Sequence, residues 1–240
     1  MAKTIFLCSS PTTPGADGYV LDPNNGLIDE LKKVIPERMR LLFVASSPDE
    51  HEKTEVYAEG TRNAFVLAGF DVIKMTVLDR ESADRTEELL KEHDVVYFAG
   101  GHVPTQNAFF ADIGLKEKIT AFDGVIIGCS AGTMNMAETV YCPPEEPGEA
   151  LDPAFRRFLP GLGLTKTQVF PHWQYERGLV IDGLRNVEDI ALPDSMGHTF
   201  LALTDGSYIL SENGKEELRG EIYQIRDGVI TLVNHGDVTF

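Results

Sequence analysis

Asp123-Gly124-Val125-Ile126-Ile127-Gly128-Cys129-Ser130-Ala131-Gly132-Thr133-Met134-Asn135-Met136 reads as an apolar strand, a tight turn and the start of a helix, with a serine on the turn. A glycine two residues to either side of that serine lets the chain fold back closely, and a side chain held at a strand's end projects into open space. The helix that follows directs free N–H groups and partial positive charge at any anion forming there. Ser130 is therefore the candidate nucleophile and the Ala131 N–H a candidate oxyanion donor. Cys129 stands one residue too early and reads as a small core residue.

Working toward the N-terminus, apolar runs recur at Thr4–Cys8, Leu41–Ala45, Val72–Val77 and Val95–Ala99, and with Val125–Ile127 they make five. Continuous rather than alternating apolarity suits strands buried on both faces of a parallel sheet. Between them Gly26–Val34, Glu52–Ala68, Ala83–Glu92 and Thr105–Ala121 carry apolar residues at helical spacing. The alternation predicts an α/β fold: a mostly parallel, doubly wound sheet with helices on both faces.

Toward the C-terminus the pattern changes. Cys142–Asp152, with Pro143, Pro144, Pro147 and Gly148, can hold neither periodicity and reads as a surface excursion. Thr199–Thr204, Tyr208–Ser211, Glu221–Arg226 and Val229–Val233 predict an antiparallel extension, with a two-residue turn at Asp227-Gly228. No repeat or interdomain linker interrupts the chain, so one domain over residues 1–240 is expected.

A second oxyanion donor needs a close backbone approach, which glycine permits. Gly100 and Gly101, ending the run Val95–Ala99, supply it. For the base that takes the serine proton there are six histidines. His51 and His93 lie in charged helical segments and are expected to be solvated, and His235 is terminal. His102 and His198 remain open, while His172 follows a short apolar strand and Pro171, at the edge where open α/β sheets build their sites. For the carboxylate that orients the imidazole, Glu138, Glu145, Glu146 and Asp152 all fall between Ser130 and His172, and spacing does not choose among them.

Gly128-Cys129-Ser130-Ala131-Gly132, Ala99-Gly100-Gly101, Phe170-Pro171-His172-Trp173 and Leu203-Thr204-Asp205-Gly206-Ser207 together resemble the serine peptidases typified by aspartyl dipeptidase (dipeptidase E) and cyanophycinase. The likeness spans nearly the whole chain and implies a class I glutamine amidotransferase-like fold with serine in place of the elbow cysteine. It implies Ser130 as nucleophile, His172 as base, and Ala131 with Gly100 or Gly101 as oxyanion donors. The nearest match to the acidic member is Glu145 or Glu146, and we take Glu145. The dipeptidase pattern is broken at His102-Val103-Pro104-Thr105, so His102 rebuilds one wall of the substrate pocket. Arg177 and Arg185 occupy the region where relatives that prefer acidic substrates place arginines, and a guanidinium there would bind a carboxylate bidentately.

The remaining composition narrows the partners. With 21 Lys and Arg against 38 Asp and Glu, the net charge is −17, which disfavours nucleic acid and anionic membrane. Three scattered cysteines form no disulfide framework, and the first apolar run gives way to Ser9 and Ser10 before it could serve as a signal peptide or membrane span. A cytoplasmic protein is expected. No zinc, phosphate-loop or dinucleotide motif is present, and no cofactor is expected. The expected activity is hydrolysis of a small peptide, such as a dipeptide with N-terminal aspartate, through an acyl-enzyme on Ser130. The alternatives are another amide or ester hydrolase on the same scaffold, or a binding protein that has lost the chemistry.

Overall fold

The five apolar runs become five neighbouring strands. The computed structural model describes residues 3–16 and 18–235 and begins with β1 (Thr4–Cys8). A hairpin of β2 (Thr12–Gly15) and β3 (Gly18–Leu21) precedes α1 (Leu27–Val34), β4 (Arg38–Val44), α2 (His51–Leu67) and β5 (Asp71–Leu78). Next come α3 (Thr86–Glu92), β6 (Val95–Phe98), α4 (Val103–Asp112), α5 (Leu115–Thr120) and β7 (Val125–Cys129). Past the elbow lie α6 (Ala131–Met134), β8 (Thr139–Tyr141), β9 (Phe158–Pro160), β10 (Gln168–Phe170) and α7 (Trp173–Glu176). After the short pair β11 (Val180–Ile181) and β12 (Leu184–Arg185) and the turn α8 (Leu192–Asp194), the remaining described elements are all strands. It runs through β13 (Thr199–Leu203), β14 (Tyr208–Glu212), β15 (Lys215–Arg219), β16 (Ile222–Arg226) and β17 (Val229–Asn234).

The principal sheet runs β15-β14-β1-β7-β6-β4-β5, with β1, β7, β6, β4 and β5 mutually parallel and the β14–β15 hairpin added antiparallel to β1. Its side chains alternate between two cores, as the strand period requires. Leu7, Leu42, Val96 and Ile126 face one core, with Leu89 of α3, Phe109 of α4 and Leu115 of α5. Phe6, Leu41, Tyr97 and Ile127 face the other, with Leu31 of α1 and Phe65 of α2. This is the doubly wound arrangement the sequence predicts. No described helix is long and apolar enough to cross a membrane.

The predicted helix over 105–121 is two helices. Gly114 adopts a left-handed φ of 59° and caps α4 before α5 begins, a conformation glycine takes without strain. Asp227 and Gly228 both take positive φ in the turn between β16 and β17, as expected. The strand β15 falls in a charged stretch that gives no apolar signal.

A second sheet, β10-β13-β16-β17, sets up the site. Because β10 and β13 are parallel with Phe170 opposite Ala202, the segments leaving their C-terminal ends emerge side by side. One carries His172 and the other Asp205. The Asp205 turn then enters β14, whose Tyr208 pairs with Cys8 at the C-terminal end of β1. Two sheets thus deliver their strand ends to one edge.

Candidate active site

Ser130 sits at that edge with φ 50° and ψ −116°, a backbone conformation disfavoured for any residue with a Cβ. Its N–H donates to the Ser9 carbonyl at 2.9 Å, and the Thr133 hydroxyl donates to the Cys8 carbonyl at 2.7 Å, so the elbow is pinned to the end of β1. The flanking glycines are sterically required. A Cβ at Gly132 would stand 2.6 Å from the Phe98 carbonyl carbon, and one at Gly128 would stand 2.7 Å from Thr133 Cα.

His172 Nε2 lies 2.9 Å from Ser130 Oγ, and Nδ1 lies 2.7 Å from Asp205 Oδ1. An ionised carboxylate only accepts, so the imidazole proton resides on Nδ1 and Nε2 is left to take a proton from the serine hydroxyl. Asp205 is held on three further sides. Ser9 Oγ donates to Oδ1 at 2.8 Å, Gln174 Nε2 donates to Oδ2 at 2.6 Å, and the Asp205 N–H donates to Gln174 Oε1 at 3.0 Å. Burial pushes the Asp205 carboxyl up, but the hydrogen bond and charge of His172 and the bonds from Ser9 and Gln174 outweigh it and hold the group below the ordinary aspartate range. His172 itself takes a left-handed φ of 56° at the start of α7.

Gly100 and Gly101 end β6 beside the elbow, and a Cβ on Gly100 would stand 3.3 Å from Ser130 Cβ. The Gly100 N–H is directed at the Cys129 sulfur, and burial raises that thiol to about 11. Neither the Gly101 N–H nor the Ala131 N–H has a hydrogen-bond partner among the described residues. Gly101 rather than Gly100 is therefore the available donor.

The sequence matches peptidase family S51 over residues 7–219. The chain belongs to peptidase family S51. The fold of this S51 chain is similar to a 1.5 Å crystal structure described as a peptidase E protein from Listeria monocytogenes EGD-e. The TM-score is 0.60 at 15% sequence identity, covering 91% of this chain and 98% of that one. No curated protein matches the S51 chain.

Glu145, expected to orient the base, does not do so; Asp205 holds the imidazole instead. The 142–152 excursion forms no helix or strand, and it is clamped over the start of α4. Glu149 Oε1 meets His102 Nε2 at 2.9 Å, while Oε2 accepts the N–H groups of Glu145 and Glu146 at 2.8 and 2.9 Å. That clamp turns Glu145 toward the Val103 N–H. Glu145 keeps solvent access, although protein crowds its carboxyl. Burial and the nearby Glu176, Glu149 and Glu146 carboxylates push it up to about 8, the Val103 N–H opposing them. Glu176, within electrostatic reach of His172, is also raised by burial, with His172 and a hydrogen bond from Asn186 acting against the shift.

His102 stands between Thr105 and Glu149, its Nδ1 2.7 Å from the Thr105 hydroxyl. His102, Glu146 and Glu149 bring potential metal-ligand atoms within 4.8 Å of one another, but the imidazole and Glu149 are already hydrogen-bonded to each other. Arg185 forms a bidentate pair with Asp189 on the surface. Arg177 is exposed and has no carboxylate partner among the described residues. His93, expected to be solvated, is buried and bonded to the Leu89 carbonyl and the Thr76 hydroxyl. Sequence pattern assigns no role to Asp205, Ser9 or Gln174. Ser9 sits one residue past a strand end, a position that does carry a signal.

Proposed function

We propose that the protein is a serine peptidase that hydrolyses small peptides through an acyl-enzyme on Ser130. The observation that supports this most is the unbroken relay from Ser130 Oγ through His172 Nε2 and Nδ1 to Asp205. His172 Nε2 takes the Ser130 proton as Oγ attacks the peptide carbonyl carbon. Negative charge then builds on the carbonyl oxygen, where the Gly101 and Ala131 N–H groups receive it; one such donor is typically worth about 100-fold or more in rate. The imidazolium returns the proton to the leaving amine nitrogen, the C–N bond breaks, and an ester to Ser130 remains. Water, deprotonated by the same imidazole, cleaves that ester and frees the serine. Asp205 keeps its charge throughout and stabilises the imidazolium.

For the substrate, a preference for N-terminal aspartate rests on Arg177, since Arg185 is already neutralised by Asp189. Glu176, within electrostatic reach of His172, favours peptides without an acidic side chain. The test is a fluorophosphonate label followed by a dipeptide panel with aspartyl, neutral and lysyl N-termini. Labelling at Ser130 that disappears in Ser130→Ala, together with turnover of at least one dipeptide, is expected. Folded protein inert to both would overturn the proposal, and turnover of aryl esters alone would replace it with an esterase.

A further inference from the structure

We propose that Ser46, on the loop after β4, is a positioning residue that aims the Gly101 N–H into the oxyanion site, an inference that rests on the serine-peptidase reading above. Ser46 is buried, and its hydroxyl donates to the Gly100 carbonyl at 2.6 Å. A trans peptide is planar, with its carbonyl and N–H on opposite sides of the C–N bond. Fixing the Gly100 carbonyl toward Ser46 therefore points the Gly101 N–H the other way. Contacts on either side limit the neighbouring chain. The Gly100 N–H, on the preceding peptide, is taken by the Cys129 sulfur, and a Cβ on Gly101 would stand 2.7 Å from Ser46 Cβ, so Gly101 and Ser46 pack directly.

The scaffold beneath is braced separately. Gln106, fully buried on α4, donates to the Ala99 carbonyl at 2.8 Å and to the Ala45 carbonyl at 3.4 Å, and its own carbonyl accepts from Asn135 at 3.1 Å. Gln106 thus ties the ends of β4 and β6 to the residue after the elbow helix, whichever side chain occupies position 46. Ser46 acts on one peptide plane. Left without its hydroxyl donor, the Gly100–Gly101 peptide is free to rotate and spend less time with its N–H on the reacting oxygen.

Second-order inactivation by a fluorophosphonate reads this directly, because the phosphoryl oxygen occupies the oxyanion site. Ser46→Ala is expected to be labelled about 10- to 100-fold more slowly than the parent, below the full loss of a donor. On a cleaved dipeptide it should lower kcat while leaving KM within about twofold. The melting temperature should fall by no more than about 4 °C, the cost of one half-buried carbonyl losing its donor, since the brace through Gln106 is intact. Ser46→Thr, which keeps the hydroxyl, should recover most of the rate. Labelling of Ser46→Ala within about threefold of the parent overturns the inference, as does a slowdown that Ser46→Thr shares in full or that comes with a matching loss of thermal stability. A parent protein that is itself inert overturns the peptidase reading, and the role of Ser46 with it.

Discussion

The backbone N–H of His172 donates to the Ser9 hydroxyl at 2.8 Å, and that hydroxyl donates onward to Asp205 Oδ1 at 2.8 Å. Ser9, at the tip of β1, therefore fixes the base at its main chain and the orienting carboxylate at its side chain. Ser9→Ala leaves a partly buried N–H and carboxylate each short of a partner, a cost of about 1–3 kcal/mol. Urea unfolding should show a loss in that range. Peptidase activity should fall about tenfold through misplacement of the imidazole. Unchanged stability and activity would remove Ser9 from this account.

Asp205→Asn and Glu145→Gln separate the observed carboxylate from the one expected from sequence. Asparagine at 205 would accept on one atom and donate from the other, favouring the wrong imidazole tautomer, and kcat should drop about 1,000- to 10,000-fold. Glu145→Gln should retain kcat within about tenfold, because Glu145 does not touch the imidazole. The reverse ranking in steady-state assays would reinstate Glu145.

Adding one methyl at Gly132 tests the elbow. The new Cβ would press on the Phe98 carbonyl, a backbone atom that cannot swing aside, so the elbow must shift off β6. Gly132→Ala is expected to destabilise by about 1–3 kcal/mol and to abolish fluorophosphonate labelling. A labelled, fully stable variant would mean the turn is looser than described.

Glu145 makes a pH-dependent contribution with a defined sign. Its carboxyl is raised from 4.5 to about 8 in the folded protein, so between those values the unfolded chain has released a proton that the folded chain still binds. Stability is fully present below pH 4.5 and is lost as pH rises through about 8. Because the residue keeps contact with solvent, the effect is a fraction of the unscreened value. The difference in melting temperature between Glu145→Gln and the parent should grow in favour of the variant from pH 4.5 to pH 8 and then level off. A difference independent of pH would contradict the shift.

The sequence made most of the parallel sheet legible because β1, β4, β6 and β7 are largely buried on both faces and so carry continuous apolar runs, whereas the edge strand β5, exposed at Ile73 and Lys74, is apolar only in part. It made Ser130, the glycine pair and His172 legible because each sits where an apolar run stops. β15 was not legible: its residues are charged on an edge, although Asn213-Gly214 before it, both at positive φ, is a strong hairpin turn. Asp205 lies inside a recognisable stretch, Leu203 to Ser207, but after His172, whereas the nearest acidic matches, Glu145 and Glu146, come before it. Chain order does not constrain the order of a triad, since strand ends from different sheets converge irrespective of sequence. The short contacts of Ser9 and Ser46 depend on strand register and on one peptide's orientation, and neither is written in local pattern.

The convergence of two sheets on one edge has a temporal side. Ser130 emerges from the ribosome with its helix and strand, but the carboxylate that completes the relay arrives 75 residues later, and the strand that seats it, β14, must still add to β1. A nascent chain shorter than that carries an unarmed hydroxyl. Closure of the relay is thereby tied to synthesis of the strands around Asp205, long after the serine itself has been made.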